Sequence, residues 1–505
     1  MSARAEVSPD RLLHRRRSGF ALALLAFAQL IISIDYNIVY VALPHIGSSL
    51  GFSAHTLQWV ISAYAVAFGG FLLLGGRACD LLGRRRMFVT GLVLYAVSSL
   101  AGGVANDATT LILARAVQGL GGAFLFPATL ALVNTSFGNG PARYRALSVW
   151  AAAGASGMVI GSLLGGVLTQ AFGWHAVFLV NVVLAGAAAL LAFPLIAPDR
   201  VTEGNRSFDI PGALSVTGGA TLLVLTLVEG PVAGWNSGGV LASAIGGIVL
   251  LAVFLLVESR SRDALMPLRM FGNRNLATGV VVASLFMATF GTLLYFITVY
   301  FQDVHGYSAL RTGMAYLPPM VGGFAGSMLG GRLATRFGVR PTLIVSLAVG
   351  AVAVVLLGIS LSPDASYLAV APSFVLLSIP QGVVYTTVFA ASATDVAPTE
   401  QGVAGAMVST GQQIGYAMGL AALVAVANIG VGDASAGSAL ELAVNDGLRH
   451  AVFVCAAGIL LTLLVAINFT TPKPQADDSS WSGNGEELLS PAVSTGNATN
   501  SAQNL

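Results

Sequence analysis

Gly76-Arg77-Ala78-Cys79-Asp80-Leu81-Leu82-Gly83-Arg84-Arg85 recurs later in the chain as Gly331-Arg332-Leu333-Ala334-Thr335-Arg336-Phe337-Gly338-Val339-Arg340. Each copy joins two apolar runs, each long enough to cross a bilayer at about 20 residues. Further pairs recur in the same order. Gly157, Gly161 and Gly165 return as Gly411, Gly415 and Gly419, and Gln118-Gly119 returns as Gln381-Gly382. His175-Ala176-Val177-Phe178 returns as His450-Ala451-Val452-Phe453. A chain that repeats in this way is built from two copies of one unit.

Working outward, apolar spans are expected at 19–43, 56–76, 87–105, 110–133, 146–170, 174–197, 210–229, 239–257, 275–301, 311–331, 341–361, 367–392, 402–428 and 449–469. Spans one to six then match spans nine to fourteen in order and orientation, and spans seven and eight have no counterpart. The expected fold class is an all-α integral membrane protein with 14 transmembrane helices. Its segments are a terminal stretch 1–18, a six-helix bundle 19–197, two extra helices with linkers 198–274, a second bundle 275–470 and a polar, disordered tail 471–505. Two parallel bundles with a site between them are a transporter architecture.

Composition agrees. Of 505 residues 55% are hydrophobic and 9% charged, against roughly 25% charged in soluble domains. The 60 glycines suit close helix packing in a membrane. A net charge of +2 gives no reason to expect a nucleic-acid partner. The two cysteines, Cys79 and Cys455, have neither metal-ligand spacing nor a disulfide framework. No HExxH or P-loop occurs, which argues against a hydrolase and against an ATPase domain within the chain. The basic run Arg11, Arg15, Arg16 and Arg17 precedes an apolar stretch that is longer than a signal-peptide core and lacks a clear cleavage site, so a retained first helix is expected.

Arginine sets the orientation. With a cytoplasmic N-terminus, the 24 Lys and Arg residues all fall at the inner side except Arg311 and Arg449 outside and Arg115 within a span. Such a bias predicts both termini in the cytoplasm.

Few polar groups lie at membrane depth. Asp35 falls roughly 12 Å and Arg115 roughly 7 Å from the outer ends of their helices at about 1.5 Å per residue, so the two can share a layer. A buried carboxylate is costly unless it is paired, faces water or carries a proton. Asp35 is therefore either a proton carrier or a structural partner for a neighbour such as Asn37. Arg115, Gln118, Gly119 and Gly122 share one helix face. Arg115 either tunes Asp35 or snorkels to the interface. In the loop, Gly76, Arg77, Asp80, Gly83, Arg84 and Arg85 form a candidate cytoplasmic gate, with Asp80 as its latch. The plainer reading is a positively charged loop. Gly157, Gly161, Gly165 and Gly166 provide either bending or a static helix contact. Tyr36, Asn37, Tyr40, Gln118, Gln412 and Gln413 are the substrate-cavity candidates.

These motifs resemble the major facilitator superfamily, and within it the fourteen-spanner drug:proton antiporters, over roughly residues 18–470. Gly76–Arg85 resembles the superfamily's loop 2–3 motif, with Leu81 where a basic residue is usual. Arg115, Gln118 and Gly119 match the helix 4 motif linked to proton coupling. Gly157–Gly166 resembles the antiporter motif, with Ser162 in place of proline. Ile34–Pro44 resembles the helix 1 motif, with Asn37 and Tyr40 in place of its usual Thr and Asn. The resemblance implies a major facilitator fold working by alternating access. It implies proton-coupled export of hydrophobic small molecules or antibiotics, with no cofactor beyond the proton gradient. The setting would be a bacterial inner membrane and the working form a monomer. The rivals are a transporter for one metabolite and a non-transporting sensor or scaffold.

Overall fold

Long apolar runs can satisfy their backbone groups inside a bilayer by closing into helices. The computed structural model describes residues 9–53, 55–137, 141–199, 209–261, 264–396, 400–429, 431 and 438–470, and among these no strand occurs. The helices are α1 (Pro9–Leu50), α2 (Trp59–Leu82), α3 (Arg84–Gly103), α4 (Ala108–Ser136), α5 (Pro141–Phe172) and α6 (His175–Leu195). They continue as α7 (Ile210–Ala233), α8 (Gly238–Arg260), α9 (Arg274–Val304), α10 in two pieces (Ala309–Ala315 and Leu317–Phe337), α11 (Val339–Ser360), α12 (Tyr367–Ser392), α13 (Gln401–Ala427) and α14 (Ser438–Ala466).

Twelve of these are long and apolar enough to cross a membrane. The other two, α10 and α13, are diluted by glycines, by Arg332 and Arg336 in α10, and by Gln412 and Gln413 in α13. Residues such as Leu190, Ile245 and Leu368 stand exposed on helix surfaces, as expected where the solvent is lipid rather than water.

The helices depart from the expected spans in three places. Pro318 and Pro319 follow a break at Tyr316 and restart α10, because proline suits the first turn of a helix, where its missing N–H would have no intrahelical partner. α9 contains π-helical turns at Met287–Gly291 and Tyr300–Val304, which carry it far enough to include Asp303. α8 runs far enough to include Glu258, which is buried and accepts from the Met266 amide at 3.0 Å. Residues 1–8, the linker 200–208 and the tail 471–505 lie outside the described residues, as do the side chains of 9–18 and of Asp80.

Met1–Thr470 forms one compact unit. Within it α1 packs on α5 and α6, α2 on α4, and α3 on α4 and α6. In the later part α9 packs on α13, α12 and α14, α10 on α12, and α11 on α12 and α14. α7 and α8 pair with each other, and α7 rests on α2 and α13.

The first six helices meet the last six at particular places. Gly166 of α5 lies against Ala309 and Leu310, and Ser162 against Gly313. Gln302 of α9 donates to the Val41 carbonyl of α1 at 2.8 Å. These contacts lie at the end of the bundle away from the loop 83 and loop 338 turns. Midway along α2, Thr410 of α13 donates to the Gly69 carbonyl at 3.0 Å.

Candidate functional site

Asp35 is fully buried in α1 and pairs with Arg115 of α4. Arg115 Nη1 lies 2.9 Å from Asp35 Oδ2, with side-chain exposures of 1% and 0%. A lone charge in such a place is prohibitively costly, and a pair is tolerated only when its remaining hydrogen-bond capacity is met. Arg115 Nη1 also donates to Gln118 Oε1 at 2.6 Å, and Arg115 Nε to the Val60 carbonyl of α2 at 2.9 Å. Its guanidinium lies 4.5 Å from the centre of the Tyr64 ring, in cation–π contact. The reach to α2 depends on Gly119, where a Cβ would come within 2.4 Å of the Tyr64 carbonyl.

The other carboxylate oxygen faces amides. Asp35 Oδ1 accepts from Gln118 Nε2 at 2.9 Å and from Asn181 Nδ2 of α6 at 2.7 Å. Gln118 Nε2 also donates to Ser99 Oγ of α3 at 2.9 Å. Four helices besides α1 thus converge on one carboxylate layer. Sequence reasoning allowed Asp35 and Arg115 to share a layer and put Gln118 on the arginine's face, but missed Asn181, Ser99 and Tyr64. Asn181 carried a usable signal, being the one polar side chain between Val177 and Phe193 of an otherwise apolar helix.

A group of tyrosines begins at the next residue of α1. The Tyr36 ring meets those of Tyr40, Tyr64 and Tyr416 edge-on, with centroids 6.0, 6.4 and 6.2 Å away. The Tyr40 and Tyr416 hydroxyls share a hydrogen bond across α1 and α13. The Tyr36 hydroxyl, Gln412 Nε2 and Gln413 Oε1 are buried polar atoms without a partner. Asn37 stands apart from Asp35: it donates to the Ser33 carbonyl at 3.0 Å and faces α5.

The α5 glycines form a seam. A Cβ at Gly157, Gly161 or Gly165 would come within 2.6 Å of Ser33 Cβ, 2.6 Å of the Ile34 carbonyl or 2.7 Å of the Ile38 carbonyl on α1. The same seam joins α13 to α9, where Gly415 and Gly419 lie against Ser284 and Ala288. Gly166 faces α10 instead. Gly161→Val is expected to destabilise the protein by about 1–3 kcal/mol through overpacking, seen as a lower melting temperature in detergent. Ser162→Ala, whose hydroxyl bonds only within its own helix, should leave it nearly unchanged.

At the loop, Gly83 adopts φ +104°, a conformation that disfavours any other residue. Arg85 and Arg86 donate their backbone amides to Asp199 Oδ1 and Oδ2, both at 2.9 Å. Asp199, from the chain following α6, thereby caps α3. Arg85 Nη2 donates to the Phe193 carbonyl at 2.9 Å, and the guanidinium lies over the Phe193 ring. Arg77 and Arg84 are half-buried, and a Cβ at Gly76 would only just reach Pro127, at 4.0 Å.

Twelve helices long and apolar enough to cross a membrane, packed around a sealed ion pair, make a multi-pass membrane protein. The profile of the Major Facilitator Superfamily matches residues 25–420, and the chain belongs to that superfamily. It is 36% identical over 459 residues to a cephamycin export protein of Amycolatopsis lactamdurans, covering 90% of this chain and 93% of the relative. It is 36% identical over 476 residues to a puromycin resistance protein of Streptomyces alboniger, covering 92% and 94%. Among solved structures it resembles a bacterial homologue of the human lysosomal transporter Spinster in an inward-facing, unoccupied conformation. The TM-score is 0.64 at 16% identity, covering 91% of this chain and 99% of that one.

Proposed function

We propose that the protein is a proton-coupled antiporter that exports hydrophobic small molecules, antibiotics among them, from the cytoplasm or inner leaflet of a bacterial plasma membrane and so confers resistance. The observation that carries this is the buried Asp35–Arg115 pair in the helix core. A scaffold has no need of such a pair, whereas a carboxylate whose charge is held by one arginine and two amides can exchange a proton. The names of the export and resistance relatives point the same way.

In this reading a proton from outside neutralises Asp35, substrate arriving from the cytoplasm displaces it, and Arg115 holds the emptied carboxylate. Tyr36, Tyr40, Gln412 and Gln413 face the substrate. The arginine-rich end is cytoplasmic, so the contacts of α5 with α10 and of α1 with α9 close the outer side. Gly76–Arg86 and Asp199 form the inner gate, and α7 and α8 stand outside two six-helix bundles. Among the described residues Asp35 is the only carboxylate in the buried polar cluster, and it is already paired, so neutral or singly charged substrates are expected.

The test is drug susceptibility of an efflux-deficient host expressing the chain, across neutral, singly and doubly charged compounds. Raised resistance to several neutral or monocationic drugs supports the reading. Protection against none, or against dications alone, contradicts it. Orientation has its own check: cysteines at Ser237 and Ser362 should label from outside, and tags at Ser2 and Leu505 should be cytoplasmic. The reverse pattern would overturn the topology.

A further inference from the structure

The polar shell around Asp35 satisfies its charged form and leaves one acceptor unused. Oδ2 is taken by Arg115, so a proton arriving at the carboxylate goes to Oδ1. There it meets two N–H donors, from Gln118 and Asn181. A protonated oxygen facing two donors is a clash of like hydrogens, and one amide must turn its carbonyl inward. Gln118 cannot turn, because its Oε1 is held by Arg115 Nη1 at 2.6 Å while its Nε2 serves Ser99 as well as Asp35. Turning it would set an NH2 against a guanidinium. Asn181 is fully buried and its Oδ1 has no hydrogen-bond partner. A buried acceptor left open carries a desolvation penalty unless it is filled in another state.

We infer that Asn181 is the positioning residue that follows the protonation of Asp35: its amide donates to the carboxylate and, turned about χ2, accepts the acid proton from Oδ1. The step is a simple protonation. One O–H bond forms on Oδ1 with a proton from bulk water, and nothing is oxidised or reduced. The turn places the unused Asn181 oxygen on the acid hydrogen and leaves Arg115 and Gln118 where they are. Proton binding is thereby read out on α6, which packs on α1 and α3. Among the described residues, the charged and titratable groups facing Asp35 are Arg115 from α4, Tyr64 from α2 and Tyr95 from α3. α5 faces α1 with glycines, and α6 contributes only the amide of Asn181.

The inference rests on Asp35 being the proton site, and the experiment separates the two. pH-driven export in proteoliposomes and acid-minus-neutral infrared difference spectra are recorded for wild type, Asp35→Asn, Asn181→Leu and Asn181→Thr. Asp35→Asn should lose both pH-driven export and the carboxylic-acid C=O band; if it keeps both, the underlying reading fails. Asn181→Leu should keep substrate binding. Its acid band should move to higher wavenumber, and its transport midpoint should rise by about one pH unit, the difference between a charge-assisted and a neutral hydrogen bond. Asn181→Thr, whose hydroxyl both donates and accepts, should restore the midpoint. Side-chain-labelled asparagine should show an amide change on acidification that vanishes in Asn181→Thr. An unshifted midpoint and acid band in Asn181→Leu overturns the role of Asn181 while leaving Asp35 intact. Should Asn181→Leu not fold, absence of the labelled amide change in wild type overturns it equally.

Discussion

Asp35→Asn is expected to abolish export driven by a pH gradient, by at least about 10²-fold, the scale on which a positioned proton-transfer group acts. The amide keeps the shape of the carboxylate and can donate to Asn181 once that side chain turns its oxygen inward, but it exchanges no proton at physiological pH. Downhill exchange of substrate should therefore persist, since the amide leaves the helix packing and the tyrosine cluster untouched. The measurement is substrate flux in proteoliposomes with and without an imposed gradient. Full pH-driven export by the variant would remove Asp35 from coupling. Loss of both modes would make it a structural or substrate-binding residue instead.

Arg115→Leu should have the largest effect on stability. It strands a carboxylate that is fully buried, and breaking one side of a buried pair costs about 3–5 kcal/mol. The loss should shrink as pH falls, because protonating Asp35 removes the unpaired charge. The double variant Asp35→Asn/Arg115→Leu should recover much of the stability, since no lone charge remains, and it should recover none of the pH-driven transport. Thermal unfolding in detergent across pH reads all three. Unchanged stability in Arg115→Leu at neutral pH would mean that water or another residue supports Asp35, and that the pair is not closed.

The sequence and the structure agree most closely where a pattern is local or periodic. Repeated glycines, arginine-rich loops and apolar runs are features of single helices, and the apolar runs put Asp35 and Arg115 close enough in depth to share a layer. What was hidden depends on partners remote in the chain. Asn181 lies 146 positions from Asp35, Asp199 lies 114 from Arg85, and Tyr416 lies 376 from Tyr40. No periodicity encodes those meetings. Helix rotation is hidden too. The loop motif draws attention to Gly76, but the tight approach is at Gly75, where a Cβ would come within 2.0 Å of the Ala123 carbonyl on α4. Two neighbouring glycines look alike in sequence, and only the packing of α2 on α4 tells them apart. Helix rotation likewise decides what the glycines of α10 and α13 do: Gly322, Gly326 and Gly330 lie against α12, and Gly411, Gly415 and Gly419 against α9.

The central claim is that substrate and proton exclude each other at Asp35, and proton release on binding tests it most directly. A transported drug is added to purified protein in weakly buffered detergent solution, and the pH of the medium is followed. Wild type at mildly acidic pH should release protons in step with drug binding, fewer as the starting pH rises and Asp35 is already empty. Asp35→Asn should bind the drug and release none. Saturable binding to wild type without proton release at any pH would contradict the account.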